Sequence, residues 1–194
     1  MRRRTILLWL SGIVACGGSS PLRLPLAGGD GGTVLIGSPC LPDVENDPTF
    51  TGFSRSETTI QSFAGQPPGA PVCLVIDFQG RVSCPYGQDV SDAGLGGTAC
   101  KTPDGVPVTA AVAPQCVDIR PLDHVVWSCR CSGPGPSSST CECPSGMACL
   151  SGPFAAGPAN ADDSLAGGYC VPSALVSGPQ ACAATCDPAA HPCD

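Results

Sequence analysis

The sequence predicts a small disulfide-rich fold, mainly β with much irregular structure, short antiparallel hairpins and little helix. Three observations predict it. The 194 residues include 15 cysteines. Glycine and proline contribute 25 and 22 residues, while aromatic residues are only 5%. The strongest local signals are short runs of β-formers bounded by turn residues. A chain so rich in Gly and Pro has a high ordering entropy and little aromatic surface to bury against it. Disulfides supply the difference by restricting the unfolded chain, and they persist in oxidising compartments outside the cytosol.

The first fifteen residues have the composition of an export signal. Arg2, Arg3 and Arg4 form a basic region, followed by nine apolar or small residues, Ile6 to Val14. That run is too short to span a bilayer, which takes about 20 residues, and the small residue Ala15 follows it, as before the cut of a cleaved signal. Residues 16–39 read as a flexible linker, with Gly17-Gly18-Ser19-Ser20 and Gly28-Gly29-Asp30-Gly31-Gly32. Residues 40–194 form the cysteine-rich domain, whose fourteen cysteines are Cys40, Cys73, Cys84, Cys100, Cys116, Cys129, Cys131, Cys141, Cys143, Cys149, Cys170, Cys182, Cys186 and Cys193. An odd total in an exported chain leaves one thiol over. If Cys16 is consumed by other chemistry, the remaining fourteen can pair completely, with a connectivity the sequence does not choose.

Within the domain, Val72 to Phe78, the dipeptide Gln79-Gly80 and Arg81 to Cys84 read as a β-hairpin. In that register Cys84 lies opposite Val75 and diagonal to Cys73. Diagonal neighbours are about 7–8 Å apart, beyond the usual disulfide reach, so Cys73 and Cys84 are expected to bond elsewhere. Val106 to Val112 reads as an edge strand because of Pro107. Val125 to Cys131 reads as one strand with Val125, Trp127, Cys129 and Cys131 on a common face. Residues 132–140 read as a loop, Cys141 to Pro144 as the returning strand and Tyr169 to Val171 as a short last strand. Residues 151–168 read as an exposed insertion. The strongest helix candidate, itself brief, is Pro179 to Thr185.

Charge excludes one class of function. Removing the leader's three arginines leaves six basic against sixteen acidic residues, a formal charge of −10. Nucleic-acid binding needs clustered Lys or Arg to neutralise phosphates, and Lys101 is the only lysine. No nucleic-acid partner is expected.

No catalytic, metal or cofactor site is assigned. The cluster Cys129-x-Cys131, Cys141-x-Cys143 and Cys149 has one residue between paired cysteines, whereas structural zinc sites usually have two to four. It reads as disulfide scaffolding. There is no Cys-x-x-Cys redox motif, the nearest spacing being Cys182-x-x-x-Cys186. His124 and His191 are expected at the surface. Asp43, Glu45 and Asp47, like Asp162-Asp163, lack the spacing of a calcium loop and read as solvated acidic loops.

Two resemblances sharpen this reading. Ile13-Val14-Ala15-Cys16, followed by Gly17, resembles the lipobox of bacterial lipoproteins. The resemblance implies cleavage before Cys16 and attachment of a diacylglyceryl group to its thiol. It thereby implies membrane association through a lipid anchor, with the outer membrane favoured over the inner because residue 17 is Gly rather than Asp. Two acyl chains suffice for stable anchoring where one does not. The segments CLVIDFQGRVSCPYGQ (73–88) and CRCSGPGPSSSTCECPSGMAC (129–149) resemble cysteine-rich lipoproteins of myxobacteria. The second segment is also similar in part to EGF-like modules, without their full spacing. The function expected on this basis is a structural or binding role at the cell envelope, not enzymatic, with an envelope protein or polysaccharide as partner. The alternatives are an envelope hydrolase acting on an extracellular polymer and a secreted inhibitor-like module. A binding module should show an exposed apolar or aromatic patch, for which Trp127, Phe50, Phe53, Phe63, Phe78 and Tyr86 are the candidates.

Overall fold

The run Val72-Cys73-Leu74-Val75-Ile76 is apolar at every position, and in the computed structural model all five residues are buried. The structure describes residues 22–25, 33–61, 70–89, 99–133, 140–151, 155–156, 166–178 and 180–193. Successive side chains of a strand point to opposite faces, so a strand with two apolar faces needs two covers. Cys73 and Val75 pack with Cys40, Phe78, Cys116, Ile119 and Val125. Val72, Leu74 and Ile76 pack on the other face with Ile60, Tyr169, Val171 and Leu175.

This strand, β4 (Val72–Ile76), is central in a four-stranded sheet of order β5-β4-β3-β8. The neighbours β3 (Thr58–Gln61) and β5 (Val125–Ser128) run antiparallel to it, and β8 (Ala155–Ala156) pairs parallel to β3. A second, antiparallel sheet has the order β6 (Arg130–Ser132), β9 (Gly168–Pro172), β7 (Met147–Ser151). A two-stranded ribbon joins β1 (Arg23–Pro25) to β2 (Thr33–Leu35). The one α-helical turn among the described residues, α1 (Pro121–His124), runs directly into β5. The expected class holds: the chain is mainly β, disulfide-rich and almost devoid of helix among the described residues.

Seven disulfides join all fourteen cysteines of the body: Cys40–Cys73, Cys84–Cys100, Cys116–Cys182, Cys129–Cys141, Cys131–Cys149, Cys143–Cys170 and Cys186–Cys193. Three of them interleave in sequence and stack in space. The sulfur of Cys170 lies 3.9 Å from that of Cys129 and 3.7 Å from that of Cys141.

Several local expectations are corrected. Gln79-Gly80 does not close a hairpin, because β4 pairs with β3 and β5 instead. Asp77 ends the strand with φ 48°, and Gly80 pairs with Phe53 through two backbone bonds of 2.8 and 3.0 Å. A β-carbon on Gly80, at φ 85°, would stand 2.5 Å from the Ala113 carbonyl oxygen, so only glycine fits there. Cys73 and Cys84 do bond elsewhere, but through this long-range pairing rather than a hairpin register. The strand expected over 125–131 breaks at Cys129, with β5 in one sheet and β6 in the other. Cys141–Pro144 is not a strand; Cys141 donates its N–H to Arg130 at 2.7 Å, and the strand beside β6 is β9, as expected for Tyr169–Val171. Residues 106–112 form bridges at Pro107 and Val112 but no strand, and the described part of 179–185 has no helix.

The linker assignment is revised where it is described. Val34 and Ile36 are buried, Ile36 against the Cys129 and Cys170 sulfurs. Pro39 bridges Val126, and Gly37 and Cys40 donate to Trp127 and Val125 along the open edge of β5 at 2.8 and 3.0 Å. Covering that edge satisfies backbone groups a coil would leave to water. The folded body therefore begins ahead of Cys40. The signal residues, Cys16, Gly28 to Gly32, Phe63, Asp162-Asp163 and most of the 134–139 and 152–165 stretches lie outside the described residues.

Candidate functional site

An open groove of about 570 Å³ lies where four parts of the chain converge. One wall is Leu35 to Ser38, held along β5 by the backbone pairing just described. The floor and second wall come from α1 and β5, through Leu122, Asp123, His124 and Val126. The third wall is Pro144 to Met147 and the fourth Pro172 to Leu175, tied together by the Ser173 N–H to Gly146 carbonyl bond at 2.9 Å. Asp118 and Gln180 complete the rim. The close approach of two walls depends on Gly37, whose φ of 91° and missing side chain leave room for the Met147 sulfur, 3.1 Å from where a β-carbon would stand.

The lining is mostly aliphatic. Leu122 is 59% exposed and Leu35 36% exposed, so two large apolar side chains stand open on the same groove. Its described polar groups are Ser38, Asp118, Asp123, His124, Ser145 and Gln180, with no Lys, Arg or aromatic residue among them. Size and lining fall within the range of small-ligand and peptide sites.

The histidine of the groove is not a surface residue. His124 is 3% exposed, and its Nδ1 lies 2.8 Å from the Ile76 carbonyl oxygen. Beside it, burial pushes the Asp77 carboxyl above its ordinary range, an effect His124 partly offsets. His191 is exposed and shares a two-way backbone bridge with Asp187.

In the acidic loop at residues 43–47, Asp43 and Asp47 are exposed as expected, but Glu45 is buried and has a structural task. Glu45 and Arg81 are both fully buried and form an ion pair at 3.3 Å. Glu45 also accepts from the N–H groups of Val82 and Ser83 and from the Ser83 hydroxyl at 2.9, 3.3 and 2.7 Å. Arg81 donates to the carbonyls of Glu45, Asp47 and Phe50 and lies 5.4 Å from the centre of the Phe50 ring. Every strong partner is thus supplied, which a buried charge requires. The Thr49 N–H and hydroxyl, at 2.8 and 2.7 Å, hold the Asp47 carboxyl below its usual range.

The aromatic residues do not form the expected open patch. Phe50, Phe53 and Phe78 stack in sequence over Arg81 and into the core, at centroid separations of 4.8 and 6.4 Å. Trp127 is half-buried between two core clusters, and Tyr86 donates its hydroxyl to the Cys193 carbonyl at 3.0 Å. Apart from Tyr86, the exposed large apolar residues among those described are aliphatic, and sequence reasoning missed them. Leu35 and Leu122 are 87 positions apart in sequence, so only the fold brings them to one groove.

Among the described residues, three groups of possible metal donors exist: Cys129, Cys141 and Cys170; Cys131, Cys143 and Cys170; and Cys116, Asp118 and Cys182. Every cysteine among them is in a disulfide, whereas a cysteine ligand is a thiolate. No family model, curated protein or solved structure matches this chain. Fold and groove together define a class: a disulfide-framed β domain with one open, aliphatic, acid-rimmed groove among its described residues.

Proposed function

We propose that this chain is an exported, lipid-anchored protein of the cell envelope, placed at the outer membrane, whose stapled body binds a protein or polysaccharide through the groove. The observation that carries the anchor is complete pairing. Seven disulfides use every cysteine from Cys40 to Cys193, so Cys16 has no cysteine left to bond, and a lipid thioether accounts for it. Its position after Ile13-Val14-Ala15 supports the same reading. The groove supports binding because two exposed leucines, held by a rigid frame, give a partner apolar area to bury.

Two measurements test the proposal. A palmitate analogue fed to expressing cells labels the wild type and not Cys16→Ser; equal labelling contradicts the anchor. Crosslinking to envelope components falls in Leu122→Ser, which removes exposed apolar surface without touching the core; unchanged crosslinking contradicts the role of the groove.

A further inference from the structure

The groove carries information about its ligand beyond its shape. Its described rim holds two carboxylates and no basic side chain. Asp118 accepts the Ala183 N–H at 3.3 Å, and Asp123 pairs with exposed Arg120 at 3.0 Å. Arg120 thus compensates part of the Asp123 charge, whereas Asp118 meets only a neutral N–H in its contact; each carboxylate keeps a second oxygen. Leu35 and Leu122 line the same groove as these carboxylates. The whole mature chain carries a formal charge of −10, so the far field has the same sign as the rim. A sugar polymer generally seeks aromatic platforms, and none lines the described groove.

We propose that the groove takes a short extended peptide segment bearing an aliphatic side chain flanked by lysine or arginine. This rests on the binding role proposed above and narrows its partner. The aliphatic side chain seats between Leu35 and Leu122, and the flanking cations meet Asp118 and Asp123. Ser145 and Gly146, exposed on the third wall, lie within the same groove.

The test uses the full lipoprotein in detergent micelles and two capped synthetic pentapeptides, Gly-Lys-Leu-Lys-Gly and Gly-Glu-Leu-Glu-Gly, with binding followed by fluorescence anisotropy. The lysine peptide binds, and the glutamate peptide binds roughly five- to tenfold more weakly, as two partly exposed charge pairs provide. Raising salt from about 0.05 to 0.5 M narrows that gap through screening. Asp118→Asn combined with Asp123→Asn removes the preference while leaving the weaker affinity. Leu122→Ser weakens both peptides. Equal binding of the two peptides overturns the charge-specific ligand and leaves the binding role standing if Leu122→Ser still weakens them. Failure of either peptide to bind, with an envelope polysaccharide fragment retained in a Leu122-dependent way, overturns the peptide class and again spares the binding role. If neither peptide nor polysaccharide depends on Leu122, both readings fall.

Discussion

Arg81 and Glu45 show what a single buried pair decides. A guanidinium with no exposure is tolerated only because Glu45, three carbonyls and the Phe50 ring surround it. Removing one partner leaves an uncompensated charge, at a cost of about 3–5 kcal/mol. Arg81→Ala should therefore lower the thermal midpoint sharply, while Arg120→Ala, which loses only an exposed ion pair, leaves it within a degree or two; scanning calorimetry on both variants compares them. Asp77 gives a pH prediction. Its folded pKa is raised, so the folded state holds the proton more tightly than the unfolded state does. Stability from this group is present at low pH and falls as pH climbs from the ordinary carboxylate range through the raised value. Asp77→Asn, which also tolerates a φ of 48°, should match the wild type near pH 3 and melt higher at pH 7. A lower midpoint at pH 7 would contradict a desolvated carboxylate at this position.

Among elements, the strands were more legible in the sequence than their pairing. Val72–Ile76 announces itself as a fully buried strand because it is apolar throughout, and Tyr169–Val171 is visible as a short β-run. The local turn signal at Gln79-Gly80 misleads because Arg81 has a buried partner 36 residues earlier, and no local pattern records that. The same long-range bond draws Glu45 out of solvent, against the expectation for an acidic loop. His124 was misplaced for a related reason: its polar ring is satisfied by the Ile76 carbonyl, a contact fixed by strand pairing. Disulfide connectivity is illegible because Cys129, Cys131, Cys141, Cys143, Cys149 and Cys170 interleave. Their loops also predict how strongly each bond acts. Cys116–Cys182 spans 66 residues and Cys186–Cys193 only 7. Loop entropy assigns them about 4 and about 2 kcal/mol. Replacing both cysteines by serine should destabilise more at the first pair than at the second, read by denaturant midpoint. The reverse order would show that native packing at the chain end outweighs loop closure.

At the scale of the whole molecule, two sheets, one ribbon and seven disulfides hold open a groove no single segment contains. Its walls come from the segment after β2, from α1 and β5, from the approach to β7 and from the end of β9. Composition foretold the frame, since so thin a core needs staples. It did not foresee that Phe53 and Phe78 pack into the core while Leu35 and Leu122 stand exposed. The proposed export signal and lipid attachment at Cys16 would tether this frame to a membrane.

Top-down mass spectrometry of the protein isolated from membranes joins both halves of that account in one spectrum. It should show a chain beginning at Cys16 with a diacylglyceryl group on its sulfur, gaining two hydrogens for each of the seven disulfides on reduction. An unmodified Cys16 thiol, or Cys16 in a disulfide with any cysteine of the body, would contradict it.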